Sequence, residues 1–207
     1  MKQSNYLCLL LMMSGLGLLL GGCVIKPARV PTRYFVLAPI PGREHAPAEA
    51  QPLFVEVPLV KMPSYLLRDS MVVRKGADEV VYLETALWAE RLDQSFRQTL
   101  AENLSLLLAS DRACLSAFER DRLVMRVSIN VEQFDVESEG RGTLLAAWQL
   151  TAAGSDKPMK VGHTRLTRSA SVPRGNPQAI AATLSALVAE FSRDLAQALR
   201  ESAQARQ

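Results

Sequence analysis

Hydrophobic and polar residues alternate with two different periods along this chain, and the change of period predicts where strands give way to helices. From residue 123 to 131 the odd positions are apolar and the even positions are mostly polar, which predicts a long amphipathic strand with one face on a core. Phe134 and Val136 carry the apolar pattern on even positions instead. We therefore expect a bulge or a sheet corner near Gln133.

Further period-two segments predict the rest of the sheet. Gly76, Ala77 and Asp78 separate two short β-rich runs, which is typical of a hairpin. Glycine-containing turns at 140–142 and 154–158 divide the second half of the chain into strands that would form an antiparallel meander. The other predicted strands are 33–37, 53–60 (with Leu53, Val55, Val57 and Leu59 on one face), 71–75, 80–83, 143–153 and 160–172.

Two segments have the helical period. A stripe of apolar residues three or four apart predicts a helix over 86–110, with Thr85 as its N-cap. Asn176 and Pro177 are typical of a helix start, and this second helix is expected to end near Ser202. The stripes are Trp88, Leu92, Phe96, Leu100, Leu104 and Leu107 in the first helix, and Ile180, Leu184, Leu187, Val188, Phe191, Leu195 and Leu199 in the second.

These elements together predict the α+β class. We expect a single domain over 34–202, with an antiparallel-rich sheet and two long amphipathic helices packed on one of its faces. The last residues, 203–207, are expected to form a frayed tail. A chain of this length can bury one core of ordinary size without disulfides.

The segment before this domain has a composition of its own. One cation, Lys2, precedes an apolar run over 7–20. That run would be roughly 21 Å long as a helix, shorter than a bilayer core of about 30 Å. It ends in Leu-Gly-Gly-Cys, which fits a lipobox, the site where a bacterial signal peptide is cut and the new N-terminal cysteine is acylated. We expect a signal peptide at 1–22 and a tether at 23–33, with covalent lipid on Cys23 and no other cofactor.

Two alternatives remain open for this segment. It could be an ordinary secretory signal followed by a chance cysteine, or a short N-terminal membrane anchor. For an acylated protein, Val24 favours the outer membrane, with the domain facing the periplasm. The inner membrane is less favoured, because an Asp after the cysteine commonly retains enterobacterial lipoproteins there.

The charge of the chain does not indicate a nucleic-acid partner. The formal net charge is +3, it falls to about +2 without residues 1–22, and no Lys/Arg block interrupts the sequence. Of the three cysteines, Cys8 belongs to the signal peptide and Cys23 to the lipobox, which leaves Cys114 in the domain. We expect that thiol to be buried or paired between chains.

The sequence contains no recognisable catalytic or metal-binding motif. His45 and His163 lie in a proline-rich loop and on a strand, beside no cysteine or carboxylate pattern. Asp135, Glu137 and Glu139 share strand parity and could gather a cation, but a solvated strand end is the preferred interpretation. We expect no catalytic residue, no metal site and no enzymatic activity.

One stretch, over 52–108, resembles a known family. Its segments are MPSYLLR at 62–68, MVVR at 71–74, WAERL at 88–92 and LAENL at 100–104. This order resembles the ABC-transport auxiliary lipoproteins, the family of paraquat-inducible protein C. In that family Leu-Pro-x-Tyr-Leu-Asp-Arg precedes a short strand, and Trp-x-Glu-x-Leu opens the first long helix. Leu67 stands here where the family usually has Asp.

The resemblance implies a non-enzymatic subunit of a transport system. Such lipoproteins are similar to partners of MCE (mammalian cell entry) proteins, which form periplasmic conduits fed by an inner-membrane ABC transporter. The implied role is to hold the outer-membrane end of a conduit, in lipid transport and envelope integrity. Tyr65, Leu66 and Arg68 are the candidate partner-binding residues, because Tyr and Arg are favoured at interfaces. Alternatively, this segment is a turn packed on its own sheet.

Two further hypotheses remain. The protein could be a periplasmic carrier lipoprotein, whose sheet and helices enclose lipid in an apolar cavity. It could also self-associate into a homo-oligomer, as suits a protein that meets a symmetric conduit. The sequence does not say which conduit protein, which lipid or which direction of transport is involved.

Overall fold

The computed structural model describes residues 30–41, 53–108, 125–152, 154–169 and 176–205. The chain divides into two compact units, Met1–Pro31 and Thr32–Gln207, and the second unit contains every strand and helix below. The predictions for the signal peptide, Cys23, Cys114 and His45 lie outside the described residues.

Within the described residues, the fold is one mixed sheet of seven strands with two helices, which confirms the α+β prediction. The sheet order is β1-β4-β3-β5-β6-β7, and β2 pairs with β5 as well. Antiparallel pairs join β3 to β4 and build the predicted β5-β6-β7 meander, whereas β1–β4, β3–β5 and β2–β5 are parallel. The strands are β1 Arg33–Phe35, β2 Val55–Glu56, β3 Ser70–Lys75, β4 Glu79–Trp88, β5 Met125–Glu137, β6 Arg141–Ala152 and β7 Pro158–Ser169; the helices are α1 Leu92–Leu107 and α2 Pro177–Gln204.

Strand β5 follows its sequence pattern closely. Its alternate apolar residues from Met125 to Val131 are buried, and the pairing with β6 shifts register between Val131 and Gln133, where the bulge was expected. After the shift, Phe134 and Val136 are buried as well. The bulge therefore lets one strand keep apolar residues in the core although their parity changes.

The prediction for 53–60 is wrong in its second half. Val55 and Val57 are buried, but Leu59 is 77% exposed and Val60 is buried in its place. The regular strand is only Val55–Glu56. Pro58 explains this, because a proline has no backbone N–H to donate to a sheet ladder.

The start of the first helix is also corrected. Residues up to Trp88 belong to β4, which pairs with β3 on one side and β1 on the other, so Thr85 is not an N-cap. The helix begins at Leu92. Trp88 ends β4 and Leu92 begins α1, and both side chains are buried. Their four-residue spacing therefore looks helical in the sequence although the two residues belong to different elements.

The second helix begins as predicted and ends later. The Asn176 side chain accepts a hydrogen bond from the Gln178 N–H at 2.9 Å, and Pro177 occupies the first turn. All seven predicted stripe residues are buried. The helix continues to Gln204, and Ala203 packs partly against the core, so fraying does not begin at residue 203.

Both helices pack against the sheet through one cluster of aromatic side chains. The Phe96 ring of α1 contacts Phe134 of β5 edge-on at a centroid distance of 5.2 Å, and Phe191 of α2 lies 6.2 Å from Phe96. This aromatic cluster joins the two helices to the middle of the sheet. No helix in the described part of the chain is long and apolar enough to cross a bilayer.

Candidate functional site

Tyr65 lies in a short 3₁₀ turn, Ser64–Leu66, that connects the segment beside β5 to the β3–β4 hairpin. Its hydroxyl donates a hydrogen bond to Asp135 Oδ2 at 2.8 Å. Arg74 donates to the same oxygen at 2.7 Å, and the Gln133 amide donates to Oδ1 at 2.9 Å. We call these four side chains the Asp135 network.

The network surrounds the Asp135 carboxylate, whose side chain has no exposed surface and forms a salt bridge with Arg74. Burial raises the pKa of Tyr65 to about 12, and the negative charge of Asp135 adds to the effect. The hydrogen bonds to Asp135 raise the pKa of Arg74 further above its already high value. Tyr65 is therefore a neutral donor and Arg74 a permanent cation at physiological pH.

The structure corrects the interpretation of Asp135 as part of a solvated strand end. The bulge at Gln133 leaves Phe134, Asp135 and Val136 buried in succession. Tyr65 and Arg74 cover the carboxylate, whose two oxygens accept all three donors. Among the described residues, no group of acidic, His or Cys side chains could hold a metal ion.

The three candidate partner-binding residues have different surroundings. Leu66 is 3% exposed and belongs to the hydrophobic core, so its side chain offers no surface to a partner, contrary to expectation. Tyr65 is half-buried in the Asp135 network. Arg68 is exposed, and its guanidinium lies 4.7 Å from the centroid of the Tyr82 ring. The turn is thus packed on its own sheet and presents Arg68 outward.

The segment that carries these residues, the 63–69 loop, is held at both ends. The Tyr82 hydroxyl donates to the Tyr65 carbonyl at 3.2 Å, and the Trp88 N–H donates to the Asp69 carbonyl at 2.7 Å. The next amide, of Ala89, donates to the Phe35 carbonyl in β1 at 2.8 Å. Strand β4 alone therefore separates the end of the loop from β1, the strand that continues from the predicted tether.

Buried polar side chains hold the chain just after β1. Asn103 is fully buried in α1, and its Oδ1 accepts from the Ile40 N–H at 2.8 Å. Its Nδ2 donates to Ser192 Oγ in α2 at 3.0 Å, and Ser185 Oγ accepts from the Ala38 N–H at 3.0 Å. The 37–40 segment is consequently bound to both helices. Sequence periodicity did not reveal this role of Asn103, because the residue lies between apolar stripe positions.

The interior around these elements is well filled. The space among Leu66, Phe134 and Leu184 amounts to ≈ 10 Å³, about enough for one water molecule. A second depression, lined by Lys160 and Glu201 among others, is open and lies on the surface. Neither has the form of an enclosed apolar cavity for an acyl chain.

Comparison with solved structures first defines the class of fold. The chain is similar to an uncharacterised protein at 20% identity and a TM-score of 0.65, with 82% of this chain and 99% of that one covered. It is also similar to protein XCC0632 from Xanthomonas campestris at 13% identity and a TM-score of 0.69, with 84% and 98% covered. At these identities the likeness shows a shared α+β fold.

The family follows from the sequence itself. Residues 35–196 match the model of the ABC-type transport auxiliary lipoprotein component, so the chain belongs to that family of auxiliary lipoproteins. The resemblance identified from the sequence segments over 52–108 is confirmed. No curated protein sequence matches the chain significantly.

Proposed function

We propose that this protein is a membrane-anchored, non-catalytic subunit that docks an MCE-type periplasmic conduit at the outer membrane and thereby supports lipid transport and envelope integrity. Its partners are the conduit protein and the inner-membrane ABC transporter that feeds it. Membership of the auxiliary lipoprotein family supports a transport role. The lipobox supports acylation of Cys23, and Val24 supports the outer-membrane address.

The observation that carries the docking proposal is the exposed Arg68 on a loop held by the Asp135 network. A surface arginine loses less conformational entropy on binding when the backbone beneath it is already fixed. Here Tyr65 is tied to Asp135, and the Tyr82 ring lies under the guanidinium. Asp69 is exposed beside Arg68, so the loop presents both charges to a partner.

The carrier hypothesis has less support. A lipid carrier needs an enclosed apolar cavity large enough for acyl chains. The ≈ 10 Å³ space near Leu66 is far smaller than one acyl chain requires.

Affinity purification of the full-length protein from gently solubilised membranes tests the docking proposal. We expect an MCE-domain protein to co-purify, and Arg68→Ala to reduce its recovery by about tenfold, as expected for loss of an arginine hot spot. Arg165→Ala is the matched control, since Arg165 is an exposed arginine in β7. Equal recovery with both variants, or phospholipid without a protein partner, would contradict the docking surface.

A further inference from the structure

Two exposed apolar side chains lie where the domain continues from its predicted tether. Tyr34 is 67% exposed and Val36 is 59% exposed. Their neighbours in sequence point inward, because Phe35 packs against the core and Leu37 is buried. The sequence alternation thus gives this segment one face in the core and one apolar face in solvent.

These side chains cannot turn inward to become buried. On one side, β1 pairs with Ala86–Trp88 of β4. Directly after Leu37, the Ala38 and Ile40 amides are bound by Ser185 and Asn103. The backbone on both sides of Val36 is fixed, so the outward apolar face is a lasting feature of the fold.

We propose that Tyr34 and Val36 contact the lipid surface of the membrane and set the orientation of the domain on it. This inference rests on the acyl anchor of the proposed function. Tyr34 follows Cys23 by 11 residues, a reach of at most about 40 Å. That reach is close to the roughly 40 Å diameter expected of a domain this size. The tether alone therefore permits several orientations, and the apolar face selects one of them.

A lipid surface fits the chemistry of this face better than a second protein does. Tyrosine favours the headgroup level of bilayers, where its ring is in an apolar environment and its hydroxyl is hydrated. The patch contains only two large apolar residues, which is small for a stable protein interface.

This orientation also places the docking loop. Trp88 and Ala89 join the Asp69 carbonyl to the Phe35 carbonyl through successive backbone hydrogen bonds. With β1 on the bilayer, only β4 lies between the Asp69 backbone and the strand that contacts lipid, so the 63–69 loop is close to the membrane. A conduit bound there ends close to the lipid surface.

A fluorescence experiment on the full-length acylated protein tests the orientation. An environment-sensitive fluorophore is attached to single cysteines, Tyr34→Cys, Val36→Cys or Val161→Cys, in a Cys114→Ser background. The proteins are incorporated into vesicles of phosphatidylethanolamine and phosphatidylglycerol with brominated acyl chains. Val161 is the matched control, because it is 68% exposed on the opposite edge strand. We expect at least about twofold stronger quenching at positions 34 and 36 than at 161.

The outcomes separate this inference from the proposed function. Equal quenching at all three positions, or quenching that follows only the addition of a conduit protein, would overturn the membrane contact. A protein that floats with the vesicles but is not quenched more strongly at positions 34 and 36 than at 161 lacks the lipid contact. Its acyl anchor and its docking loop are unaffected by that result. A protein that fails to float refutes the anchor, and the lipid contact with it.

Discussion

At the scale of single residues, the Asp135 carboxylate determines how the 63–69 loop is held. A buried carboxylate is costly unless it is paired and hydrogen-bonded, and here Arg74, Tyr65 and Gln133 supply the donors. The pairing could not be predicted, since Arg74 and Asp135 are 61 residues apart and belong to different strands. The sequence showed only that Asp135 follows a change of parity.

Removing the cation from this network should destabilise the protein strongly. Arg74→Ala leaves Asp135 buried without its cation, and we expect the free energy of unfolding to fall by about 3–5 kcal/mol. Arg126→Ala is a matched control, because Arg126 meets Glu56 at the same 2.7 Å but its side chain is 52% exposed. That variant should lose at most about 1 kcal/mol. Urea denaturation measures both, and similar losses would show that burial of Asp135 is not decisive.

The raised pKa of Tyr65 predicts a stability change at high pH. An unfolded tyrosine titrates near pH 10, whereas the folded pKa is about 12. The folded state therefore retains its proton longer, and this contribution is complete below about pH 10 and is lost as the pH rises towards 12. With solvent screening, we expect the stability advantage of the wild type over Tyr65→Phe to shrink by about 1–2 kcal/mol between neutral pH and pH 12. A constant difference across this range would contradict the network.

At the scale of elements, the connection from β1 into the helices is the feature that joins the tether to the core. Asn103 binds the 37–40 segment on one side and Ser192 on the other. Asn103→Leu should leave the buried Ile40 N–H without its acceptor, which costs about 1–3 kcal/mol. Hydrogen exchange should then show faster exchange at Ile40. Gln98→Leu, at an exposed position of the same helix, is the control and should leave Ile40 protected.

The elements also show where pattern-based prediction works. The long strand β5 and the helix α2 were predictable, because α2 has one uninterrupted helical period and β5 alternates regularly up to a single change of parity near Gln133. The start of α1 was not, since Trp88 fits a helical stripe as well as the strand that contains it. Leu59 was misplaced because Pro58 breaks the ladder in the middle of an alternating run. The sequence motif at 62–68 predicted the candidate loop, whereas the burial of Leu66 is visible only in the structure.

At the scale of the whole molecule, the unit Thr32–Gln207 contains β1, the 63–69 loop and both helices. Strand β4 lies between β1 and the loop that leads into β3. The two helices pack on the sheet through the aromatic cluster of Phe96, Phe134 and Phe191. The sequence predicted the architecture because its amphipathic patterns describe one core, but the position of β1 relative to the loop depends on the parallel pairing of β1 with the distant strand β4. Parallel pairing leaves no turn signal in the sequence.

The most direct measurement is site-specific photocrosslinking in living cells, with a photoreactive amino acid in place of Arg68 in the full-length protein. The account predicts an adduct with an MCE-domain protein in the outer-membrane fraction. It also predicts that the adduct disappears when Cys23→Ala prevents acylation. No adduct at position 68, an equal adduct from position 165, or a membrane-bound adduct that persists in Cys23→Ala would contradict the claim that an acylated domain docks a conduit through this loop.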